Sequence, residues 1–583
     1  MHLIRFRILL IALGAIVSAL TADGQAPTAE PAQATRFRVN TNLVLVDVVV
    51  TERDKAVHGL GRNQFHVFED GHEQVISSFD ERQPGASPAA AAKPAALPPH
   101  TYTNVPAYPE SSAVNVLLLD GLNTLAGNQA EVRKQMLEYI GSIKPGTSIA
   151  IFTLSTHLRQ LSGFTTDPAE LTKVLKSRKA DAHSSRLLDP DADYWETFEI
   201  DDYAHIDHVP RQVIADARQF QADNRAADTD QRVAMTAEAL QDLARYLSGI
   251  PGRKNLIWFS GSFPVALDPD LTLDDPGRAL RNYSGQLRET SNLLSAARVA
   301  VYPVDARGLT GLPSLDTSTM STIGMRPQST VAMGASDEQA IRERMPERSA
   351  MQEIAAATGG KDFNNTNGFE QAVSEAVEDG SSYYTLGYVP AGKHFDGQFR
   401  KLQVRVGGGK YQLAYRRGYY ADPPDKPSAH VRGETSVLVS ATMHGGPRAT
   451  QITFQARVMP ATEAAVEGAM PGHAKTSQRG IVTDFRVDPR GLTFNETPDG
   501  VHHGTIEFVL VAYDGGGKRT NFLDKLFYLD MQPSVFQQAL DDGVTARLAL
   551  DMPEGQSFLR LAVYDPNTER AGSLEVPLTV QAK

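Results

Sequence analysis

The seven residues Val114–Asp120, VNVLLLD, constrain this chain more than any other segment. An apolar run that does not alternate marks a strand covered on both faces, the central strand of a parallel sheet. It ends in an acid. Gly121-Leu122-Asn123-Thr124 then make a short polar turn, and a helical pattern runs from about Gln129 to Ile143. In open α/β sheets, ligands sit at the carboxyl ends of the strands. Asp120, Asn123 and Thr124 therefore occupy the binding edge. Two readings of the turn stand side by side. Its oxygen-bearing side chains suit a hard cation such as Mg²⁺. Equally, an Asp or Asn there caps the following helix.

The surrounding chain keeps the same rhythm. Ser148–Ser155 reads as a strand, with Leu158–Phe164 pairing beside it. Asp167-Pro168 opens a helix, Asp at the N-cap and Pro at the first helical position. Residues 181–231 interrupt with an acidic insertion, Asp189 to Asp202, which becomes helical from Arg211 and ends near Gly249. Asn255–Phe259 is a second buried strand, leading to Ser260-Gly261. Leu280–Ala297 is helical, and Arg298–Asp305 is a third strand. Residues 309–347 show little periodicity and read as a loop. Helices over Ala350–Thr358 and Phe369–Asp379 precede a strand at Tyr383–Val389. A hairpin, Phe399–Val406 with Tyr411–Tyr415, closes the domain at about residue 420. Strands linked by helices indicate a three-layer α/β/α sandwich.

Two all-β modules flank this region. Residues 36–82 are rich in β-branched residues, and Asp70-Gly71 signals a hairpin turn with a return strand at Gln74–Phe79. The Pro/Ala-rich stretch 83–112 reads as a linker. Residues 434–583 carry short strands with almost no helix, Val437–Ser440 first among them, the spacing of a β-sandwich.

The N-terminus addresses the protein for export. Arg5 and Arg7 precede an apolar run, Ile8–Leu20, then small residues at 24 and 26. This is the pattern of a secretory signal peptide over residues 1–26, leaving a mature chain that begins near Pro27. No other run is long and apolar enough to span a bilayer. The chain contains no cysteine, so disulfides, thiolate zinc sites and thiol nucleophiles are excluded. An exported chain without cysteine fits a bacterial periplasm or exterior. Lys and Arg number 57 against 69 Asp and Glu, a formal charge of −12. That balance argues against nucleic acid as a partner.

Several segments together resemble the bacterial VWFA-related family of secreted proteins. They are NLVLVDVVV at 42–50, FHVFEDG at 65–71, LLDGLNT at 118–124, PGRKNLIWFSGSFP at 251–264, VYPVDARGL at 301–309 and YYTLGY at 383–388. The resemblance spans roughly residues 36–420. It implies a Rossmann-like von Willebrand factor A-type central domain that binds a protein partner through a divalent cation, Mg²⁺ or Mn²⁺. The family's metal site uses an Asp-x-Ser-x-Ser loop, a Thr and a second Asp. Asp120 matches the first Asp and Thr124 the second Ser. Leu122 stands where the first Ser belongs, and Asn123 offers an amide oxygen beside it. Thr236 is the nearest candidate for the Thr. Ser260 falls where the family has the second Asp. With one carboxylate instead of two, cation affinity drops, unless acids such as Asp201 or Asp202 compensate. The resemblance thus implies a degenerate site.

Enzymatic motifs are poorly represented. His205-Ile206-Asp207-His208 has no zinc-site spacing. Gly261-Ser262-Phe263 and Gly380-Ser381-Ser382 lack the nucleophile elbow. Gly407-Gly408-Gly409-Lys410 lies between strands and is a hairpin turn, not a phosphate loop. Arg253-Lys254 read as a solvated strand entry, and the tyrosines at 383–388 and 415–420 as core packing. The expectation is an exported, non-enzymatic interaction protein. The rivals are a hydrolase using His205, Asp207 and His208 to hold a metal, and a structural envelope component.

Overall fold

The parallel sheet forms where the apolar runs place it. Its strand order is Val299–Asp305, Lys254–Ser260, Val114–Asp120, Ser148–Leu154, Leu158–Thr165. The first four run parallel and the last pairs antiparallel to its neighbour. Every residue of those four parallel strands is buried. Such strands need cover on both faces, and they have it. Val116 and Leu118 point into a core shared with the Arg211–Ser248 and Ser284–Ala296 helices and with helical residues 349–358. Leu117 and Leu119 point the other way, against the helices Ala126–Ser142, Pro168–Leu175 and Phe369–Ser381. Burying one such leucine contributes about 2 kcal/mol. Asp167 caps its helix as expected, accepting from the Ala169 N–H at 2.9 Å.

These are the coordinates of a computed structural model. It describes residues 43–581 except 54, 84–96, 106–113, 178–209, 262, 264, 265, 268–274, 276, 277, 279, 280, 307–348, 364–368, 391–395, 422–436 and 462–477. The signal-peptide segment, most of the acidic insertion and the 309–347 loop lie outside the described residues. Among the described residues, no helix is long and apolar enough to cross a membrane.

The second body is a β module assembled from two distant stretches of chain. One sheet has the order Gln412–Ala414, Val44–Glu52, Tyr383–Tyr388, Ile76–Arg82. The other has Gly418–Tyr420, Phe399–Val406, Phe65–Glu69, His72–Gln74. Tyr383–Tyr388, Phe399–Val406 and Gln412–Ala414 therefore pair with residues 44–82, and not with the parallel sheet or, for the last two, with each other as a hairpin; Gly418–Tyr420 pairs with Phe399–Val406. This corrects the expectation that they close the α/β domain. Burial dictated that Tyr383–Tyr388 be a strand, but burial alone does not choose its partner. The Asp70-Gly71 turn is present, with φ of 48° and 84°, and pairs Glu69 with His72. The return strand is split. His72–Gln74 completes one sheet, Val75 is 80% exposed, and Ile76–Arg82 crosses into the other. Tyr383, Tyr384 and Tyr388 are buried in the core, and Tyr415, Tyr419 and Tyr420 are half-buried. Tyr384 donates to the Val57 carbonyl at 2.9 Å, and Tyr419 to Glu69 at 2.8 Å.

The C-terminal body is a sandwich of two antiparallel sheets around one apolar core. Thr101–Thr103, inside the expected linker, is an edge strand of this sandwich, paired with Phe454–Pro460. Val437–Thr442 is a helix where a strand was expected. Its Val437 and Ala441 pack on Val509 and Ala562, so packing overrides the β-propensity of VLV. Pro533–Asp542 is a further helix that the sequence reading missed.

Arg253 and Lys254 are not solvated. They are 4% and 1% exposed, enclosed where the β module meets the amino ends of the parallel strands. Arg253 donates to the Tyr302 hydroxyl at 3.0 Å and the Gly359 carbonyl at 2.6 Å. Lys254 donates to the Ile250 carbonyl at 2.7 Å. Beside them Arg298 pairs with Asp47 of the β module, Nε to Oδ2 at 2.9 Å. Sequence position at a strand entry suggested solvent, but the composite module covers that end.

Candidate functional site

The five residues singled out by sequence meet at the carboxyl edge of the sheet. Asp120, Asn123 and Thr124 are 2% exposed, and Thr236 and Ser260 are fully buried. Asp120 and Ser260 end neighbouring parallel strands. Asn123 and Thr124 sit in the turn after the first of these. Thr236 comes from the middle of the Arg211–Ser248 helix and lies within the cluster.

Four donors converge on the Asp120 carboxylate. Oδ1 accepts from the Asn123 backbone N–H at 3.0 Å. Oδ2 accepts from Asn123 Nδ2 at 2.9 Å, Trp258 Nε1 at 3.0 Å and Ser260 Oγ at 2.8 Å. The Asn123 amide also donates to Thr236 Oγ1 at 2.7 Å, and Thr236 passes its own proton to the Arg232 carbonyl at 2.8 Å. Arg232 Nη1 reaches Asn123 Oδ1 at 3.4 Å. The Asn123 amide group is therefore oriented by its partners, nitrogen toward two acceptors and oxygen toward a donor. Burial pushes the Asp120 carboxyl above its ordinary range, against the opposing pull of the hydrogen bonds from Asn123, Ser260 and Trp258.

Thr124 ties the next strand to the turn. Its hydroxyl accepts from the Gly261 N–H at 2.9 Å. Gly261 is required by the close approach, since a Cβ there would lie 2.7 Å from the Asn123 carbonyl oxygen. Gln129 holds the turn from the helix side, donating to the Gly121 and Thr124 carbonyls at 3.2 and 2.6 Å.

Sequence reasoning missed Trp258, Arg232 and Gln129. The signal for Trp258 was present. It is one of only two tryptophans in the chain, set in a buried strand, and a buried indole N–H needs an acceptor. Asp305 was passed over too. It ends the next strand, opposite Ser260, and is 5% exposed.

Mg²⁺ and Mn²⁺ take oxygens with free lone pairs in near-octahedral geometry. Here Oδ2 already accepts three hydrogen bonds. Asn123 presents its nitrogen to the carboxylate, and the Trp258 N–H is a donor only. The recess beside Leu119, Asp120, Thr124, Gln129 and Phe259 measures about 10 Å³, the space of one water. As arranged, these residues do not fit a hydrated divalent ion. Among the described residues no three of His, Asp or Glu are grouped to hold one. His205, Asp207, His208, Asp201 and Asp202 lie outside the described residues.

No family model and no curated protein matches the sequence. Solved structures match it distantly. An aerotolerance-related membrane protein from Bacteroides fragilis is 13% identical, covering 46% of this chain and 98% of that one, with a TM-score of 0.23. The conserved hypothetical protein BatB from Bacteroides thetaiotaomicron is 11% identical over 46% of this chain and 97% of that one, at 0.22. Three N-terminal domains of the pili tip protein Mfa5 from Porphyromonas gingivalis are 8% identical over 93% of this chain and 77% of that one, at 0.21. At these TM-scores the likeness decides neither fold nor function.

Proposed function

We propose that this chain is an exported, non-enzymatic protein-binding protein of adhesion type. Its central domain is a von Willebrand factor A-like domain whose metal-ion-dependent adhesion site has become a metal-free hydrogen-bonded plug. The strand order and the helices on both faces support the first part. The saturation of Asp120 carries the second. Trp258, Ser260 and Asn123 supply to one carboxylate the compensation that a cation would supply in the parent site. A partner then meets a rigid edge and not an open coordination position.

The experiment uses the full mature chain immobilised and exposed to native envelope fraction, with and without chelator. The same partner is expected in both. Loss of the partner on chelation overturns the metal-free reading. Absence of any saturable partner, measured on the recovered proteins one by one, overturns the binding reading. Calorimetry with MnCl₂ is expected to show no saturable heat.

A further inference from the structure

The outer face of the C-terminal sandwich carries a groove of about 450 Å³. Its floor is the sheet formed by Thr101–Thr103, Phe454–Pro460, Gln478–Val487 and Val544–Pro553. Arg457, Arg486 and Arg547 line it, with one carboxylate, Asp484. In a chain of formal charge −12, three guanidinium groups against one acid is a local inversion of sign.

Pairing register fixes how these groups are spaced. Arg457 lies opposite Asp484, and Asp484 opposite Arg547. Arg486 is opposite Gln455 and Thr545, one diagonal step from both other arginines. Diagonal neighbours in a sheet are about 7 Å apart. Same-side residues of an extended peptide repeat every ~7 Å.

Two of the three arginines are held in place. Arg547 forks onto Asp484 at 2.5 and 2.9 Å. Arg486 donates to the carbonyls of Asp542 and, at 3.2 Å, Asp541. Arg457 is exposed and, among the described residues, pairs with no carboxylate. A second recess of about 240 Å³ shares Gln455 and Arg486 and adds Arg490 together with the acids Asp488 and Asp541. Arg490 pairs with Asp488 at 3.3 Å, so the groove is elongated but its excess of positive charge stays at the Arg457 and Arg486 end.

We propose that this groove binds an acidic, extended peptide segment of a partner protein, with its alternate carboxylates on Arg457 and Arg486. Guanidinium forks match carboxylates in geometry as well as charge. A sugar chain is disfavoured because the one aromatic residue lining the groove, Phe485, is 2% exposed and turned into the core. The surface shares no residue with the Asp120 edge, so it stands whether or not that edge binds a partner.

The test is fluorescence anisotropy of a dye-labelled peptide alternating Asp and Ser, titrated with the full chain at low salt. Saturable binding is expected, loosened by added salt and absent for the matched Asn/Ser peptide. Arg457→Ala should weaken it about tenfold, near the 1.4 kcal/mol of one charge-assisted contact, and Arg457→Glu should weaken it further. Arg457 is exposed, so both variants should melt with wild type. Lack of saturable binding overturns the proposal. So does equal binding by Arg457→Ala. Preferential competition by oligogalacturonate over the acidic peptide also overturns it, by identifying a glycan site instead.

Discussion

Trp258 donates its indole N–H to Asp120 Oδ2 at 3.0 Å, from the strand next door. One side chain thus fills an apolar core position and satisfies a buried acid. Trp258→Phe keeps the ring in the core but removes the donor. We expect a loss of about 1–3 kcal/mol, the usual cost of a hydrogen bond to a buried charged group. Chemical denaturation measures it. A change within error would show that water replaces the indole.

Ser260→Asp sets a second carboxylate against Asp120. Without a cation the two buried charges repel, so the variant should melt well below wild type. MnCl₂ should raise its melting temperature and leave that of wild type unmoved. Equal shifts in both proteins would place any cation elsewhere.

Lys254 gives a pH dependence with a definite sign. Burial first, and the neighbouring Arg298 next, depress its ammonium to about 7, while Asp47 pulls the other way. The unfolded chain holds this proton up to about 10.5. Between those values the unfolded state binds more protons, so Lys254 makes stability rise with pH. The contribution is fully present above the unfolded value. It falls as pH drops toward 7, by at most about 1.4 kcal/mol per unit. Lys254→Met should flatten the stability profile between pH 7.5 and 9.5 (about half a unit to two and a half above the folded value). A profile with the wild-type slope in that variant would assign the effect to another group.

Gly380 lies in a helix pressed onto the sheet. A Cβ there would sit 1.6 Å from Asn255 Nδ2, whose amide donates to Asn115 Oδ1 at 2.8 Å in the next strand. Gly380→Ala should destabilise by about 1–3 kcal/mol, as overpacked cores do. Asn255→Ala in the same chain should recover part of the loss, since it removes the clashing amide.

Export is checked on the native protein. Arg5, Arg7 and the apolar run after them lead us to expect a mature N-terminus near Pro27. Edman sequencing that finds Met1 in a soluble cytoplasmic fraction would remove the export reading.

The parallel strands were legible because burial on both faces writes itself as an unbroken apolar run, in VNVLLLD and NLIWF alike. Asp120, Asn123 and Thr124 followed from the first of these strands, since a strand end fixes where its next residues lie, whereas Thr236 and Ser260 came from the resemblance to the A-type metal site. Orientation was not legible. Nothing in Asn123 says that its nitrogen, not its oxygen, faces Asp120. That depends on Thr236, 113 residues away. Partner choice was equally hidden. Tyr383–Tyr388 reads as a buried strand, but its partner Val44–Glu52 is separated from it in sequence by the whole α/β region. Arg253 and Lys254 misled because charge at a strand entry signals solvent unless another module covers that end.

The composite β module has a consequence for the order of events at the ribosome. Asp47 meets Thr385 only after 338 further residues exist. At ~5–20 residues per second of synthesis, the strands of residues 44–82 wait on the order of tens of seconds for their partners. They carry β-branched, aggregation-prone sequence meanwhile. A nascent chain of this design depends on a holding chaperone, or on export before folding, far more than its α/β portion does.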